Sequence, residues 1–148
     1  MKIELVKDEV VTQRPYRLSY SESVRVQKQI DELKTAGIIE ESASEFARPI
    51  VIVKRKTGED RICIHYRSLN KITKKEKYPL PLIDDQLDRL SGKNSFTCLD
   101  MKSAYHQISV SRDSREKTAF VTPDGDYQFI RMPFGLVNGA AVFQRLIN

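Results

Sequence analysis

The sequence has few cysteines, no long apolar run and no glycine-rich phosphate loop, and each absence narrows what it can be. Only Cys63 and Cys98 occur among 148 residues, too few for a disulfide scaffold. Each stands in an apolar, strand-like run, so two buried free thiols and a reducing compartment are expected. No apolar stretch approaches the ~20 residues of a membrane-spanning helix. Residues 1–11 lack the basic start and apolar centre of a secretory signal. Neither a membrane location nor a targeting signal is therefore expected. No repeat, low-complexity tract or Gly/Ser/Pro-rich linker divides the chain, which predicts one continuous unit. The missing glycine-rich loop disfavours a nucleotide-binding fold of the usual phosphate-loop kind.

What the sequence does have is basic charge in one place. Hydrophobic residues make up 40% and charged residues 30%, the mixture of a chain that can bury a core. The formal net charge is +5, and the excess gathers in residues 54–77. There Lys54, Arg55, Lys56, Arg61, Arg67, Lys71, Lys74, Lys75 and Lys77 stand against Glu59, Asp60 and Glu76. Such a cluster suits phosphates, nucleic acid or a nucleotide. On charge alone, a solvated lysine-rich hairpin is the simpler account.

The element pattern is α+β, with antiparallel hairpins packed with helices. Residues 1–20 read as an extended N-terminal segment. Ser21 is a candidate N-cap for a helix with Val26, Ile30 and Leu33 on one face and Gly37 as its stop. Pro49 to Val53 and Ile62 to Tyr66 flank Thr57-Gly58 as a hairpin with a basic tip. Pro79 and Pro81 precede a helix with Ile83, Leu87 and Leu90 on its apolar face, closed by Gly92. Phe96 to Leu99 reads as a buried strand ending at Asp100. Thr118 to Thr122 and Tyr127 to Arg131 flank the turn Pro123-Asp124-Gly125. Residues 138–148 read as a helix without a stop signal, the pattern of a chain that continues.

Asp100 carries the chemistry if any residue does. A carboxylate closing an apolar strand is costly unless a cation meets it, and Mg²⁺ takes such oxygens together with substrate phosphates. Taken alone, an aspartate there is more readily an N-cap for the turn that follows. The context shifts that balance. The run Phe96-Thr97-Cys98-Leu99-Asp100-Met101-Lys102-Ser103-Ala104-Tyr105-His106-Gln107-Ile108 resembles the first catalytic motif of gypsy-type retrotransposon reverse transcriptases. Residues 131–144, from Arg131-Met132-Pro133-Phe134-Gly135 onward, resemble the next motif, and Lys117 to Pro123 has its counterpart between them. Gly37-Ile38-Ile39-Glu40, Pro49 to Lys54, Tyr66-Arg67-Ser68-Leu69-Asn70-Lys71 and Tyr78-Pro79-Leu80-Pro81 resemble the fingers region. Several ordered motifs, covering nearly the whole chain, are far more specific than one short pattern.

That resemblance implies a partial right-hand polymerase fold, with fingers and an incomplete palm over residues 21–148. It implies an RNA-directed DNA polymerase that adds deoxynucleotides to a primer on an RNA or DNA template, as part of a Pol polyprotein. The setting would be intracellular, in a cytoplasmic virus-like particle or the nucleus. Asp100 would bind two Mg²⁺ ions, with Mn²⁺ as a substitute, and Met101 would add its carbonyl. Tyr105 would lie under the sugar and exclude a 2′-hydroxyl, with Phe134 and Gly135 beside the nucleotide. Arg61 and Lys56 would hold the triphosphate. Lys54, Arg55, Arg67 and Lys71 would meet nucleic acid, Arg67 supporting the template or an internal ion pair.

Some residues depart from the family pattern. His65 stands where aspartate is usual. Asp60 replaces an aromatic residue and is expected to compete for Arg61. Glu45 and Arg48 stand where prolines and serines are usual, and Gly139-Ala140 replaces Ala-Pro. The Tyr-x-Asp-Asp hairpin, with two further catalytic carboxylates, has no counterpart, and Asp84-Asp85 read as helix-start acids. The expectation is therefore of a chain inactive by itself, or of a truncated or domesticated retroelement piece that at most binds nucleic acid.

Overall fold

Helix α1 (Tyr20–Thr35) begins at a capping box. Ser19 Oγ accepts the Glu22 N–H at 3.3 Å, and the Glu22 carboxylate accepts the Ser19 N–H at 2.8 Å. The cap is thus Ser19 rather than Ser21, because only a residue three before a Glu closes both bonds. Val26 and Ile30 are buried one turn apart, and the helix gives way at Gly37, whose φ of +66° suits a residue without Cβ.

The computed structural model describes residues 1–54, Gly58 and residues 60–148. Arg55, Lys56 and Thr57 of the expected hairpin tip, together with Glu59, lie outside the described residues. The hairpin itself forms from β2 (Ile50–Lys54) and β3 (Asp60–Ile64), in antiparallel register from Ile50↔Ile64 to Lys54↔Asp60. The second sheet has three strands in the order β1-β5-β4. Strands β4 (Phe120–Thr122) and β5 (Gly125–Phe129) are the hairpin expected around residues 123–125. Strand β1 (Ile39–Glu41) adds to the far edge of β5; three residues after a helix are too short to show a period of two. Helices α2 (Arg67–Ile72), α4 (Arg112–Arg115) and α5 (Gly139–Ile147) complete the packed part. The first two have one or two turns and left no periodic trace.

Two apolar clusters form the core. Val26, Ile30, Ile39, Ile50, Phe120, Tyr127 and Phe129 lie between α1 and the sheets. Ile3, Tyr66, Leu69, Ile108, Val110, Met132 and Leu136 form the second. The extended first segment is therefore structural. Ile3 plugs the second cluster, its N–H donates to Ser114 Oγ at 3.0 Å, and Leu5 bridges to Thr73.

Between the clusters, three successive carbonyls are held from one side. Arg48 Nη1 donates to the carbonyls of Lys117 at 2.7 Å and Ala119 at 3.4 Å, and Tyr66 Oη donates to that of Thr118 at 2.8 Å. Arg48 is fully buried, beside the rings of Phe46 and Tyr66. Burial pushes its guanidinium down to about 10. Its Nε and Nη2 have no partner among the described residues. Thr118, also fully buried, accepts the Phe129 N–H at 2.9 Å and donates to the Arg115 carbonyl at 2.6 Å.

Residues 79–103 correct the sequence reading. Helix α3 (Ile83–Leu90) forms with Asp84 and Asp85 in its first turn, as expected. Its apolar face is open, however, with Ile83 78% and Leu87 59% exposed. Residues 96–99 form no strand, Leu99 is 87% exposed, and Cys98 is an exposed free thiol while Cys63 is half-buried and free. A strand needs a ladder partner and an apolar face needs a surface to cover it; among the described residues neither meets this stretch. No helix among the described residues is long and apolar enough to cross a membrane.

Thr118→Val keeps the shape but leaves the buried Phe129 N–H and Arg115 carbonyl without that partner. The variant should lose about 1–3 kcal/mol of stability, read as a lowered urea midpoint. An unchanged midpoint would show that the hydroxyl bonds do not hold this junction.

Candidate functional site

The loop between β5 and α5 carries Phe134 and Gly135, and two asparagines set its path. Asn70 on α2 donates to the Gly135 carbonyl at 2.8 Å and accepts the Val137 N–H at 2.9 Å. Buried Asn138 donates to the Lys74 carbonyl at 2.8 Å and accepts the Glu76 N–H at 3.0 Å. Between these anchors Gly135 adopts φ +91°, a conformation that strains any residue with a Cβ. The turn leaves Phe134 half in solvent.

Phe134 is the centre of a stack. Tyr105 lies nearly parallel to it, with ring centroids 5.0 Å apart and planes 17° apart. The Arg61 guanidinium carbon sits 4.4 Å from the Phe134 centroid, within cation–π range. His106 meets the same ring edge-on at 5.5 Å. Tyr105 and His106 come from a 3₁₀ turn, Ala104–Gln107, which follows Ser103 in the left-handed region at φ +51°. On its other side Tyr105 leans on Phe143 of α5, and a Cβ at Gly139 would come within 3.2 Å of its ring. The departure Gly139 thus makes room for Tyr105.

Arg61, Cys63, Lys102, His106, Phe134 and Gly135 line a cleft of about 760 Å³, walled on one side by Gln29 and Leu33 of α1. Its basic groups are Arg61 and Lys102, with Glu32 as the acidic one. Half-burial, and then the neighbouring Arg61 charge, hold the His106 pKa below its ordinary 6.5. Such a cleft offers an aromatic floor, a fixed cation and a glycine that lets backbone come close. That combination suits a ring-bearing anion.

Three of the sequence-derived site residues line this cleft, Arg61, Phe134 and Gly135, and Tyr105 supports it through its stack on Phe134. Asp100 and Met101 lie on the exposed stretch that leads into Lys102 at the cleft edge. Asp100 makes no hydrogen bond or ion pair with another described residue. No group of three His, Cys, Asp or Glu side chains converges among the described residues, so Asp100 and the Met101 carbonyl do not by themselves complete a metal site. Arg67 and Lys71 share a second groove with His65, Asn70, Lys75 and Gly135, and Lys54 lies in a third with Arg25, Lys28, Asp60 and Arg61. Lys56 and Arg55 are outside the described residues. Asp60 corrects an expectation. It pairs with Arg25 Nε at 2.6 Å rather than with Arg61, because α1 brings a guanidinium to its side of the strand. The sequence reading also gave no role to His106, Asn70, Arg25 or Gln29. His106 and Asn70 lay inside motifs already recognised; nothing in the sequence pointed to the α1 pair.

A family model described as reverse transcriptase (RNA-dependent DNA polymerase) matches residues 52–148. The retrovirus-related Pol polyprotein from transposon 412 of Drosophila melanogaster is 38% identical over 99% of the chain, which covers 12% of that polyprotein. Its counterpart from transposon opus of the same fly is 42% identical over 93% of the chain and 15% of the polyprotein. The transposon Tf2-3 polyprotein of Schizosaccharomyces pombe is 38% identical over 91% of the chain and 10% of the polyprotein. The chain thus spans a small part of these relatives. A foamy viral protease-reverse transcriptase in complex with dsDNA superposes with a TM-score of 0.77 over 99% of the chain and 29% of that protein, at 20% identity. The foamy viral protein in complex with RNA/DNA hybrid gives 0.76 over 97% of the chain and 20% of that protein, at 21% identity. At that identity the likeness is one of fold: α+β, a partial right-hand polymerase.

His106 adds a pH-dependent part to stability. Its folded pKa lies below its unfolded one, so its contribution is full above 6.5 and is lost as the pH falls through the folded value. Between about pH 7.5 and pH 5, the urea midpoint of the chain should fall more than that of His106→Phe. Equal slopes would remove His106 as the cause.

Proposed function

Because the chain belongs to the reverse transcriptase (RNA-dependent DNA polymerase) family, in its gypsy-type retrotransposon form, we propose that it forms the nucleotide-binding front of an RNA-directed DNA polymerase. The observation that carries this is the cleft in which Arg61 lies over Phe134 beside Gly135, with Tyr105 stacked on that ring from outside the lining. Arg61 holds the triphosphate of an incoming deoxynucleotide, its planar fork suited to phosphate oxygens. Lys56 is the second cation for that triphosphate. Tyr105 lies under the sugar and excludes a 2′-hydroxyl, a task for a ring held against Phe134 and Phe143. Lys54, Arg55, Arg67 and Lys71 meet the backbone of an RNA or DNA template–primer, an interaction of charge more than of sequence.

Asp100 and the Met101 carbonyl supply oxygen ligands for Mg²⁺. A two-ion site requires more carboxylates than the described residues bring together, so no chemical step is assigned to this chain alone. In an intact Pol polyprotein the remaining ligands come from elsewhere, and the polymerase works inside the cell. The same observation favours a second reading for the isolated chain: it binds nucleotide and nucleic acid without catalysis.

Titration of the chain with dTTP and Mg²⁺ tests the first reading. Arg61→Ala should weaken binding about tenfold or more, the worth of one charge-assisted hydrogen bond, and Arg61→Lys should recover part of it. Equal affinity in all three would remove Arg61 from the triphosphate site. Incubated with a primed template and Mg²⁺, the 148-residue chain should add no nucleotide. Extension that disappears in Asp100→Asn would overturn the non-catalytic reading.

A further inference from the structure

We propose that Arg25 and Gln29 of α1 are positioning residues for Arg61, fixing the strand from which its guanidinium reaches over Phe134. This rests on the reading of Arg61 as the triphosphate ligand. The two residues are four apart and so share one face of α1. The Gln29 carboxamide donates to the Asp60 carbonyl at 2.8 Å and accepts the Ile62 N–H at 3.2 Å. Those are the bonds a neighbouring strand would make along the edge of β3. Arg25 holds the Asp60 carboxylate at 2.6 Å, and the Asp60 side chain is only 8% exposed. Residues 60 and 62 are therefore each tied to α1, and Arg61 lies between them.

The arrangement acts on Arg61 in two ways. A strand hydrogen-bonded on one edge by β2 and on the other by Gln29 resists the twist that a single ladder would allow. Arg61 works at the end of a long side chain, so a small rotation of β3 is magnified at the guanidinium. A misplacement of about 1 Å can remove most of the benefit of a positioned group. Arg25 also occupies the Asp60 carboxylate. Without it, that negative charge would stand uncompensated one residue from Arg61 and lower the positive potential that an incoming triphosphate meets. The departure at Asp60 is thus answered within α1, and the cleft keeps its positive field.

The test has two arms on the 148-residue chain. The first is the ring-current shift of the Arg61 Hδ protons, which reports the Phe134 stack without any nucleotide. The second is calorimetric titration with dTTP and Mg²⁺. Arg25→Ala and Gln29→Leu should each lose the Arg61 shift and weaken dTTP binding about tenfold. Arg25→Lys, which keeps the charge, should restore much of both. Asp60→Asn keeps the strand's shape and should lose the shift in part, so the proposal stays decidable if Arg25→Ala fails to fold. An Arg61 shift and a dTTP affinity unchanged in Arg25→Ala, Gln29→Leu and Asp60→Asn would overturn the proposal. If the parent chain binds no dTTP, or Arg61→Ala binds as well as the parent, the triphosphate reading fails. The ring-current arm then still decides whether α1 places Arg61.

Discussion

Three consecutive carbonyls, from Lys117 to Ala119, run into the interior where no strand or helix meets them, and the structure depends on how they are satisfied. Arg48 and Tyr66, which flank the open end of the β2–β3 hairpin, reach them from one side. The Val121 N–H returns a bond to the Arg48 carbonyl at 2.8 Å. An unmet buried carbonyl costs more than a typical hydrogen bond gains, so this junction fixes the hairpin against the β1-β5-β4 sheet. The cost falls on Arg48, a buried cation with two nitrogens unpartnered among the described residues and a lowered pKa. The rings of Phe46 and Tyr66 offset part of that.

The cleft is a consequence of the same packing. Its cation comes from the hairpin, its ring stack from the 3₁₀ turn and the loop before α5, and one wall from α1. None of these pieces is near another in sequence. Asn70 from α2 and Asn138 from the loop's own end hold the segment that bears Phe134, and both bond to backbone. Tyr105 is wedged between Phe134 and α5 at a point where Gly139 leaves it space. A ring so confined is hard to move, because moving it would disturb α5 as well.

Much of this was legible in the sequence. The helical period of Val26 and Ile30, the turn at residues 123–125 and the basic hairpin announce α1, the β4–β5 pair and the β2–β3 pair, because local propensity and burial agree there. The motifs around Asp100, Tyr105 and Phe134 fixed the family, since ordered residue types survive in sequence whatever their packing. Strand β1 and helices α2 and α4 are too short to carry a period, and their existence follows from the partners they find. The buried strand expected at residues 96–99 and the buried face expected on α3 show the reverse case: an apolar pattern states a capacity to be covered, not a cover.

The sequence by itself determined the α+β composition, the family, and the residue types that can hold a nucleotide, because these rest on local pattern and on the chemistry of single side chains. The tertiary structure alone decided that Asp60 pairs with Arg25 and leaves Arg61 to Phe134, that His106 titrates beside that arginine, and that Arg48 rather than a strand satisfies the Lys117 and Ala119 carbonyls. Each of these joins residues far apart in the chain. Which partner a charge or a carbonyl finds is set by packing and desolvation, and neither is written in sequence order.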